Sequence, residues 1–323
     1  MKNYNTEIKN TLMAILLAIS FVSSAQVAKN TKINLTSVTS TTFKTIKVDD
    51  LDIFYREAGD KNKPTILLLH GFPSSSHMYR DLINDLSSKY HVIAPDYPGF
   101  GQSSAPSNKE YEYTFDNLSI TVEHFIEKMG LKKFSLYMQD YGGPIGFRIA
   151  VKRPELIQSL IIQNANAYKE GLGDALAPLV AYIQNPNAET ENTARGFLIL
   201  DTTKWQYLNG AEDTSKVSPD SYTIDQAYLD RKGNDQIQLA LFRNYGSNLP
   251  KYADWQAYLK KYQPATLVLW GKNDLLFTAP GAEAYKKDVS TAEVHLINGG
   301  HFLLEEHHSE AAKLIDAFLS KHK

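Results

Sequence analysis

The sequence contains no cysteine at any position. Disulfide bonds, thiolate metal sites and a cysteine nucleophile are therefore excluded, and so is a lipid anchor attached through a cysteine. A chain without disulfides must derive its stability from its hydrophobic core. A chain of 323 residues is long enough to build one large α/β domain with an insertion.

An excess of charge of either sign is also missing. The sequence has 34 Lys and Arg against 36 Asp and Glu, a formal net charge of −2. We find neither a basic stripe nor a nucleic-acid motif, so no nucleic-acid partner is expected. The histidines show no metal-ligand spacing, and no metal or organic cofactor is expected.

Long hydrophobic runs are absent too. The apolar run at residues 12–22 is shorter than the roughly 20 residues of a membrane helix, so no stable membrane anchor is expected. Lys2 and Lys9 precede the run, and small residues ending at Ala25 follow it. This pattern predicts a signal peptide over residues 1–25 and export to the periplasm or the medium. Residues 26–42 are predicted to be a flexible lead-in.

Short apolar runs alternate with helical patterns along most of the chain. We predict strands at 43–48, 51–58, 65–69, 91–94, 134–138, 157–162, 265–270 and 294–297, and helices at 76–86, 115–129, 142–152 and 303–319. The alternation indicates an α/β fold with a mostly parallel central sheet and helices on both faces.

The alternation stops after the sixth predicted strand. Residues 164–249 have a helical but irregular pattern and are rich in tyrosine. We interpret this segment as a helical lid inserted into a core formed by residues 43–163 and 250–323. Its aromatic content favours a small apolar organic substrate.

The sequence also lacks G-x-S-x-G, the motif that presents a serine nucleophile on a strand-to-helix turn. The segment M-Q-D-Y-G-G at 138–143 has the same context, directly after a buried strand and before a helix. It places Asp140 at the exposed position of the turn. Taken alone, Asp140 could equally be a helix N-cap.

Two further residues follow predicted strands at the edge where open α/β sheets place their sites. Asp274 lies in W-G-K-N-D at 270–274, and His301 lies in G-G-H-F at 299–302. Separately, they could be a turn residue and a surface histidine. Together with Asp140, they predict a catalytic triad.

These segments, with H-G-F-P at 70–73 and D-Y-P-G-F-G-Q-S at 96–103, resemble the α/β-hydrolase superfamily, in its epoxide hydrolase and haloalkane dehalogenase branch. The resemblance covers residues 43 to 320. It implies an α/β-hydrolase fold with Asp140 as nucleophile, His301 as base and Asp274 as the acid that orients it. It further implies an oxyanion hole formed by the backbone N–H groups of Phe72 and Tyr141.

A carboxylate nucleophile is suited to attack on a saturated carbon, because the product is an alkyl ester that water can hydrolyse. We therefore expect hydrolysis of an epoxide to a diol, with haloalkane dehalogenation as the alternative. Tyr141 departs from the tryptophan that dehalogenases place after the nucleophile.

Epoxide opening needs an acid, which the resemblance assigns to tyrosines of the lid. The candidates are Tyr182, Tyr207, Tyr222, Tyr228 and Tyr245. Tyr245 and Asn248 are the residues we expect to bind substrate. A non-catalytic binding protein on the same fold is a minor alternative, disfavoured because all three triad positions hold competent residues.

Overall fold

The computed structural model describes residues 40–322 of the chain. The predicted signal peptide and residues 26–39 of the predicted lead-in lie outside the described residues, so both remain predictions. Within the described part, no helix is both long and apolar enough to cross a membrane.

The core of the fold is an eight-stranded sheet with the order β1-β2-β4-β3-β5-β6-β7-β8. The strands are β1 (Thr42–Val48), β2 (Leu51–Ala58), β3 (Thr65–Leu69), β4 (His91–Pro95), β5 (Phe134–Gln139), β6 (Ile157–Gln163), β7 (Ala265–Gly271) and β8 (Glu293–Ile297). Strand β2 pairs antiparallel with β1 and β4, and β3 to β8 are mutually parallel. The predicted mostly parallel sheet is confirmed.

Eleven α-helices accompany the sheet in the described part of the chain. They are α1 (Arg80–Leu86), α2 (Phe115–Lys128), α3 (Gly142–Lys152), α4 (Ala177–Gln184), α5 (Ala188–Arg195), α6 (Leu200–Leu208), α7 (Pro219–Leu229), α8 (Asn234–Asn244), α9 (Asn248–Tyr262), α10 (Pro280–Ala284) and α11 (Leu304–Lys321). Short 3-10 helices lie at Ser76–Tyr79, Pro154–Leu156, Lys169–Gly171, Asp174–Leu176, Gly196–Leu198, Thr214–Lys216, Tyr245–Ser247 and Tyr285–Lys287.

The two faces of the sheet carry separate hydrophobic layers. Helices α2 and α3 cover one face, and α1 and α11 cover the other. The strands between them are buried on both sides, as the fully buried residues of β5 illustrate. Such strands need apolar side chains on both faces, which is why they read as continuous apolar runs in the sequence.

Helices α4 to α9 form a helical insertion between β6 and β7. The predicted lid boundary at residue 249 falls in the first turn of α9, and this helix continues onto the core. There Trp255 of α9 stacks on Phe147 of α3, with ring centroids 5.3 Å apart.

Two further contacts hold the insertion on the core. Glu305 of α11 binds Arg80 of α1 through two hydrogen bonds of 2.9 and 2.8 Å, and it accepts a third from the hydroxyl of Ser221 in α7. Tyr207 of α6 stacks on Phe302, with ring centroids 3.8 Å apart and planes within 6°. The insertion is thus fixed next to the loop that follows β8.

The turn between β5 and α3 requires a glycine at position 142. A β-carbon on Gly142 would lie 2.2 Å from the backbone oxygen of Leu69 in the neighbouring strand β3. Backbone cannot yield as a flexible side chain does, so only glycine lets the chain turn this tightly beside β3.

We expect Gly142→Ala to lower the free energy of unfolding by about 2–3 kcal/mol, because the added methyl group forces the turn away from β3. Gly196→Ala is the matched control, since a β-carbon added there would have no described atom within 4 Å and its φ and ψ, −58° and −21°, are helical. The control should be neutral or stabilise by up to about 1 kcal/mol. Urea denaturation measures both; equal stability of Gly142→Ala and the wild type would contradict this account of the turn.

Candidate active site

The carboxyl ends of the parallel strands bring the three predicted triad residues to one edge of the sheet. Asp140 directly follows β5, Asp274 lies in the loop after β7, and His301 lies in the loop after β8. All three are buried, with exposed fractions of 7%, 3% and 3%. Open α/β sheets place their ligand sites at this edge.

Asp140 occupies a strained turn. Its φ is +49°, in the left-handed region that non-glycine residues rarely adopt. The backbone is held there from two sides: the N–H of Asp140 donates to the carbonyl oxygen of Asn164, and its carbonyl oxygen accepts from the N–H of Gly143. Strain of this kind is typical of residues whose side chain is presented for function.

Two backbone amides hold the carboxylate of Asp140. The N–H of Phe72 donates to Oδ1 of Asp140 over 2.7 Å, and the N–H of Tyr141 also donates to this carboxylate. These are the two amides predicted to form an oxyanion hole. In this structure they bind the carboxylate of Asp140 itself.

Burial raises the pKa of Asp140 from its ordinary value of 3.8 to about 6. The positive charge of His301 and the two amide hydrogen bonds act in the opposite direction and limit the rise. The carboxylate is consequently ionised at neutral pH, but it is poorly solvated.

His301 is oriented by Asp274, which Asn164 holds in turn. Nδ1 of His301 lies 2.7 Å from Oδ2 of Asp274, and the side-chain amide of Asn164 donates to the same oxygen over 2.8 Å. The other oxygen of Asp274 accepts from the N–H of Leu276. This pairing places the proton of the neutral imidazole on Nδ1 and leaves Nε2 as an acceptor.

Burial by itself would lower the pKa of His301, but the carboxylates of Asp274 and Asp140 outweigh that effect and raise it above the ordinary value. Nε2 of the neutral ring lies 3.0 Å from the side-chain nitrogen of Gln139, which donates to it. Gln139 directly precedes Asp140, so this hydrogen bond ties the imidazole to the strand that carries the carboxylate.

A cavity of about 100 Å³ opens above Asp140. Its volume is about two thirds of that of an engineered apolar cavity of about 150 Å³ that binds benzene. Most of its wall is apolar and consists of Phe72, Leu172, Gly173, Leu176, Leu179, Val180, Ile183, Phe197, Phe242, Gly246, Leu249, Leu276 and Phe277. The polar residues on the wall are Asp140, Tyr141, Gln206 and Tyr245. The cavity fits a small, mostly apolar molecule.

The tyrosines predicted as acids have different positions. Tyr245 lines the cavity, whereas Tyr182 and Tyr222 are not on its wall. The hydroxyl of Tyr207 donates to Asp225, and that of Tyr228 accepts from Gln102. Among these five tyrosines, Tyr245 is the one whose position suits a donor to substrate.

Asn248 does not line the cavity, contrary to the prediction that it binds substrate. It is 1% exposed, and its side-chain oxygen accepts a hydrogen bond of 2.8 Å from Arg148. Asn248 begins α9 and faces α3, so its amide contributes to the attachment of the insertion and does not reach the cavity.

Three residues of the site have no counterpart in the sequence analysis: Gln139, Asn164 and Gln206. Asn164 directly follows β6, so the rule that strand ends carry functional groups could have identified it. Gln139 adjoins Asp140, but its side-chain direction depends on the twist of β5. Gln206 lies on a helix of the insertion, where the irregular sequence pattern does not indicate which face is buried.

The fold agrees with a comparison against known protein families. The chain belongs to the alpha/beta hydrolase fold family, whose sequence profile matches residues 64–308. The protein is accordingly a hydrolase.

Several similar proteins are named as hydrolases. An uncharacterized hydrolase of Saccharomyces cerevisiae is 41% identical over 82% of this chain and 92% of its own length. Epoxide hydrolase 3 of Xenopus tropicalis is 28% identical over 85% of this chain and 77% of its own length. The crystal structure of the haloalkane dehalogenase DbeA from Bradyrhizobium elkani superposes with a TM-score of 0.73, at 22% identity, over 87% of this chain and all of that one.

We expect Asp140→Asn to abolish turnover and to raise the free energy of unfolding at neutral pH by about 1–3 kcal/mol. The raised pKa means that folding favours the protonated carboxyl. In the wild type, protonation of Asp140 therefore stabilises the fold fully below the pKa that this residue has in the unfolded chain. That stabilisation is lost as the pH rises through about 6. Asparagine tolerates a positive φ and carries no charge.

Urea denaturation at neutral pH and at about pH 4, where the gain should vanish, measures this effect. The exposed Asp174→Asn serves as the control and should change stability by less than about 0.5 kcal/mol. A loss of stability in Asp140→Asn at neutral pH would contradict the expected burial of an ionised carboxylate.

Proposed function

We propose that this hydrolase attacks its substrate with the carboxylate of Asp140, opens an epoxide ring and so forms an alkyl-ester intermediate. The observation that carries the proposal is the binding of Asp140 by the amides of Phe72 and Tyr141. In an enzyme with a serine nucleophile, such amides would be kept for the substrate carbonyl.

In the first step, a lone pair of the carboxylate forms a bond to a saturated carbon of the substrate. Oδ1 of Asp140 is engaged by Phe72, so Oδ2 is the oxygen free to attack. The resulting ester carbonyl oxygen, Oδ1, already accepts from the N–H of Phe72, and the N–H of Tyr141 lies beside the same carboxyl group. The hole is therefore preorganised for the second step, in which negative charge develops on that oxygen.

In the second step, Nε2 of His301 takes a proton from water, and the hydroxide adds to the ester carbonyl. The tetrahedral adduct then breaks its bond to the alkyl oxygen, which leaves with the proton held by His301, and the carboxyl group of Asp140 is restored. Ester formation removes the negative charge of Asp140, which is one of the influences that raise the pKa of His301. The imidazole becomes easier to deprotonate at the stage where a base is needed. Asp274 holds the ring during the transfer and stabilises the imidazolium.

The tyrosine on the cavity wall favours an epoxide. Opening the ring produces an alkoxide, which needs a proton, and Tyr245 is a hydroxyl donor in the same cavity as Asp140. Burial, and after it the neighbouring Tyr252 and Asp140, raises the pKa of Tyr245 well above its usual value. The phenol therefore keeps its proton until a stronger base, such as an alkoxide, forms beside it.

Cleavage of a carbon–halogen bond is the second candidate. The same carboxylate would form the same type of ester, and the chain superposes on a haloalkane dehalogenase. A halide leaves without a proton, so this reaction would not need Tyr245.

His301→Gln should trap the intermediate, because the ester forms but no base activates water against it. We expect an intact-mass increase equal to the whole epoxide after incubation with 1,2-epoxybutane, located on the peptide that contains Asp140. An increase equal to the butyl group less the one hydrogen it replaces, after incubation with 1-bromobutane, would assign the second candidate. His308→Gln, a change at a surface histidine paired with Asp85, is the control and should show no accumulated adduct.

Absence of any adduct from either compound in His301→Gln, together with turnover by the wild type, would contradict a covalent route through Asp140.

A further inference from the structure

Gln206 of α6 is a buried side chain with an unused hydrogen-bond donor. It is 2% exposed, it lines the cavity above Asp140, and its nitrogen Nε2 has no hydrogen-bond partner among residues 40–322. A buried amide N–H without a partner costs free energy, and native structures rarely retain one without a reason.

Another buried glutamine of the insertion shows the contrast. Gln226 of α7 donates from Nε2 to the carbonyl oxygen of Leu198 and to Asp230, and its oxygen accepts from Thr203. That amide is fully used in holding helices together. The amide N–H of Gln206 makes no such contact, and the residue itself lines the cavity that a substrate would fill.

The position of Gln206 is fixed by its neighbour in the sequence. Tyr207 stacks on Phe302, and its hydroxyl donates to Asp225 over 2.5 Å. Two residues further along, the backbone oxygen of Asn209 would lie 2.1 Å from a β-carbon on Gly300, so the chain passes directly over the loop that carries His301. The end of α6 is therefore held in place before any ligand binds, and preorganised donors are the effective ones.

The direction in which the leaving atom departs from the attacked carbon indicates a role for the side-chain amide of Gln206. Attack on a saturated carbon drives the leaving atom away from the attacking oxygen, and Asp140 attacks from the core side of the cavity. Among the residues that the helical insertion contributes to the cavity wall, Gln206 and Tyr245 are the ones with side-chain donors. An amide donates a hydrogen bond without releasing its proton, whereas a phenol can release one.

We propose that the side-chain amide of Gln206 binds the leaving atom during ester formation, a role that rests on the proposed function. In the epoxide reaction, Oδ2 of Asp140 forms the new carbon–oxygen bond, and the ring carbon–oxygen bond breaks with its electron pair going to the ring oxygen. That oxygen accepts a hydrogen bond from Gln206 and takes the proton of Tyr245. Water later supplies the proton that returns to the phenolate.

The test measures the two chemical steps separately in Gln206→Met, which keeps the side-chain volume and removes the donor. With 1,2-epoxybutane as the probe, rapid quenching and intact-mass analysis follow formation and decay of the Asp140 ester in a single turnover. We expect ester formation to slow by about 100-fold, as for loss of one transition-state donor, while ester hydrolysis stays within about twofold. The variant should be at least as stable as the wild type, because the orphan amide is gone.

Gln226→Met is the matched control. Its amide has protein partners, so this variant should lose stability and keep the rate of ester formation. Ester formation at the wild-type rate in Gln206→Met, or an equal slowing of both steps, would overturn the role of Gln206 alone. A wild type that hydrolyses the probe without any Asp140 ester would overturn the proposed function and the role of Gln206 with it.

Discussion

The structure of this site depends on the binding of one buried carboxylate by two backbone amides. Phe72 and Tyr141 can donate to Asp140 only because β3 and β5 are neighbours in the sheet and the turn after β5 is tight. The tight turn between β5 and α3 requires a glycine at position 142 and a positive φ at Asp140. Burial opposes the charge, the amides support it, and the result is a carboxylate that is ionised yet poorly solvated. Forming a bond to carbon removes the charge of such a group, and this lowers its free energy by more than it would for a well-solvated carboxylate.

The same arrangement links the two halves of the proposed reaction. While Asp140 is charged, it supports the protonated form of His301. Once an ester has formed, that support disappears, and Asp274 continues to hold the ring through Nδ1 while the neutral Nε2 can act as a base. The helical insertion contributes at the opposite side of the cavity, where an apolar wall carries Tyr245 and Gln206. In the proposed reaction, the core therefore supplies the nucleophile, and the insertion supplies the side chains that donate hydrogen bonds to the substrate.

The sheet could be predicted from the sequence for a physical reason. Strands buried on both faces must be apolar throughout, so β3, β5 and β6 are visible as short apolar runs. The triad positions could be predicted because parallel strands deliver the residues that follow them to one edge. The insertion is harder to predict: its helices pack on the core through irregular patterns, and the face that each presents depends on tertiary contacts. Hence the sequence does not reveal that the amide of Asn248 binds Arg148, and no sequence pattern indicates Gln206.

In the proposed reaction, water attacks the ester carbonyl of Asp140 and does not attack the substrate carbon. A single turnover of 1,2-epoxybutane with excess enzyme in water enriched in oxygen-18 tests it directly. If the claim is correct, the heavy oxygen enters the carboxylate of Asp140, and the diol of the first turnover carries an ordinary oxygen taken from that side chain. Heavy oxygen in the diol and none in the peptide that contains Asp140 would show direct attack by water, and would contradict the account.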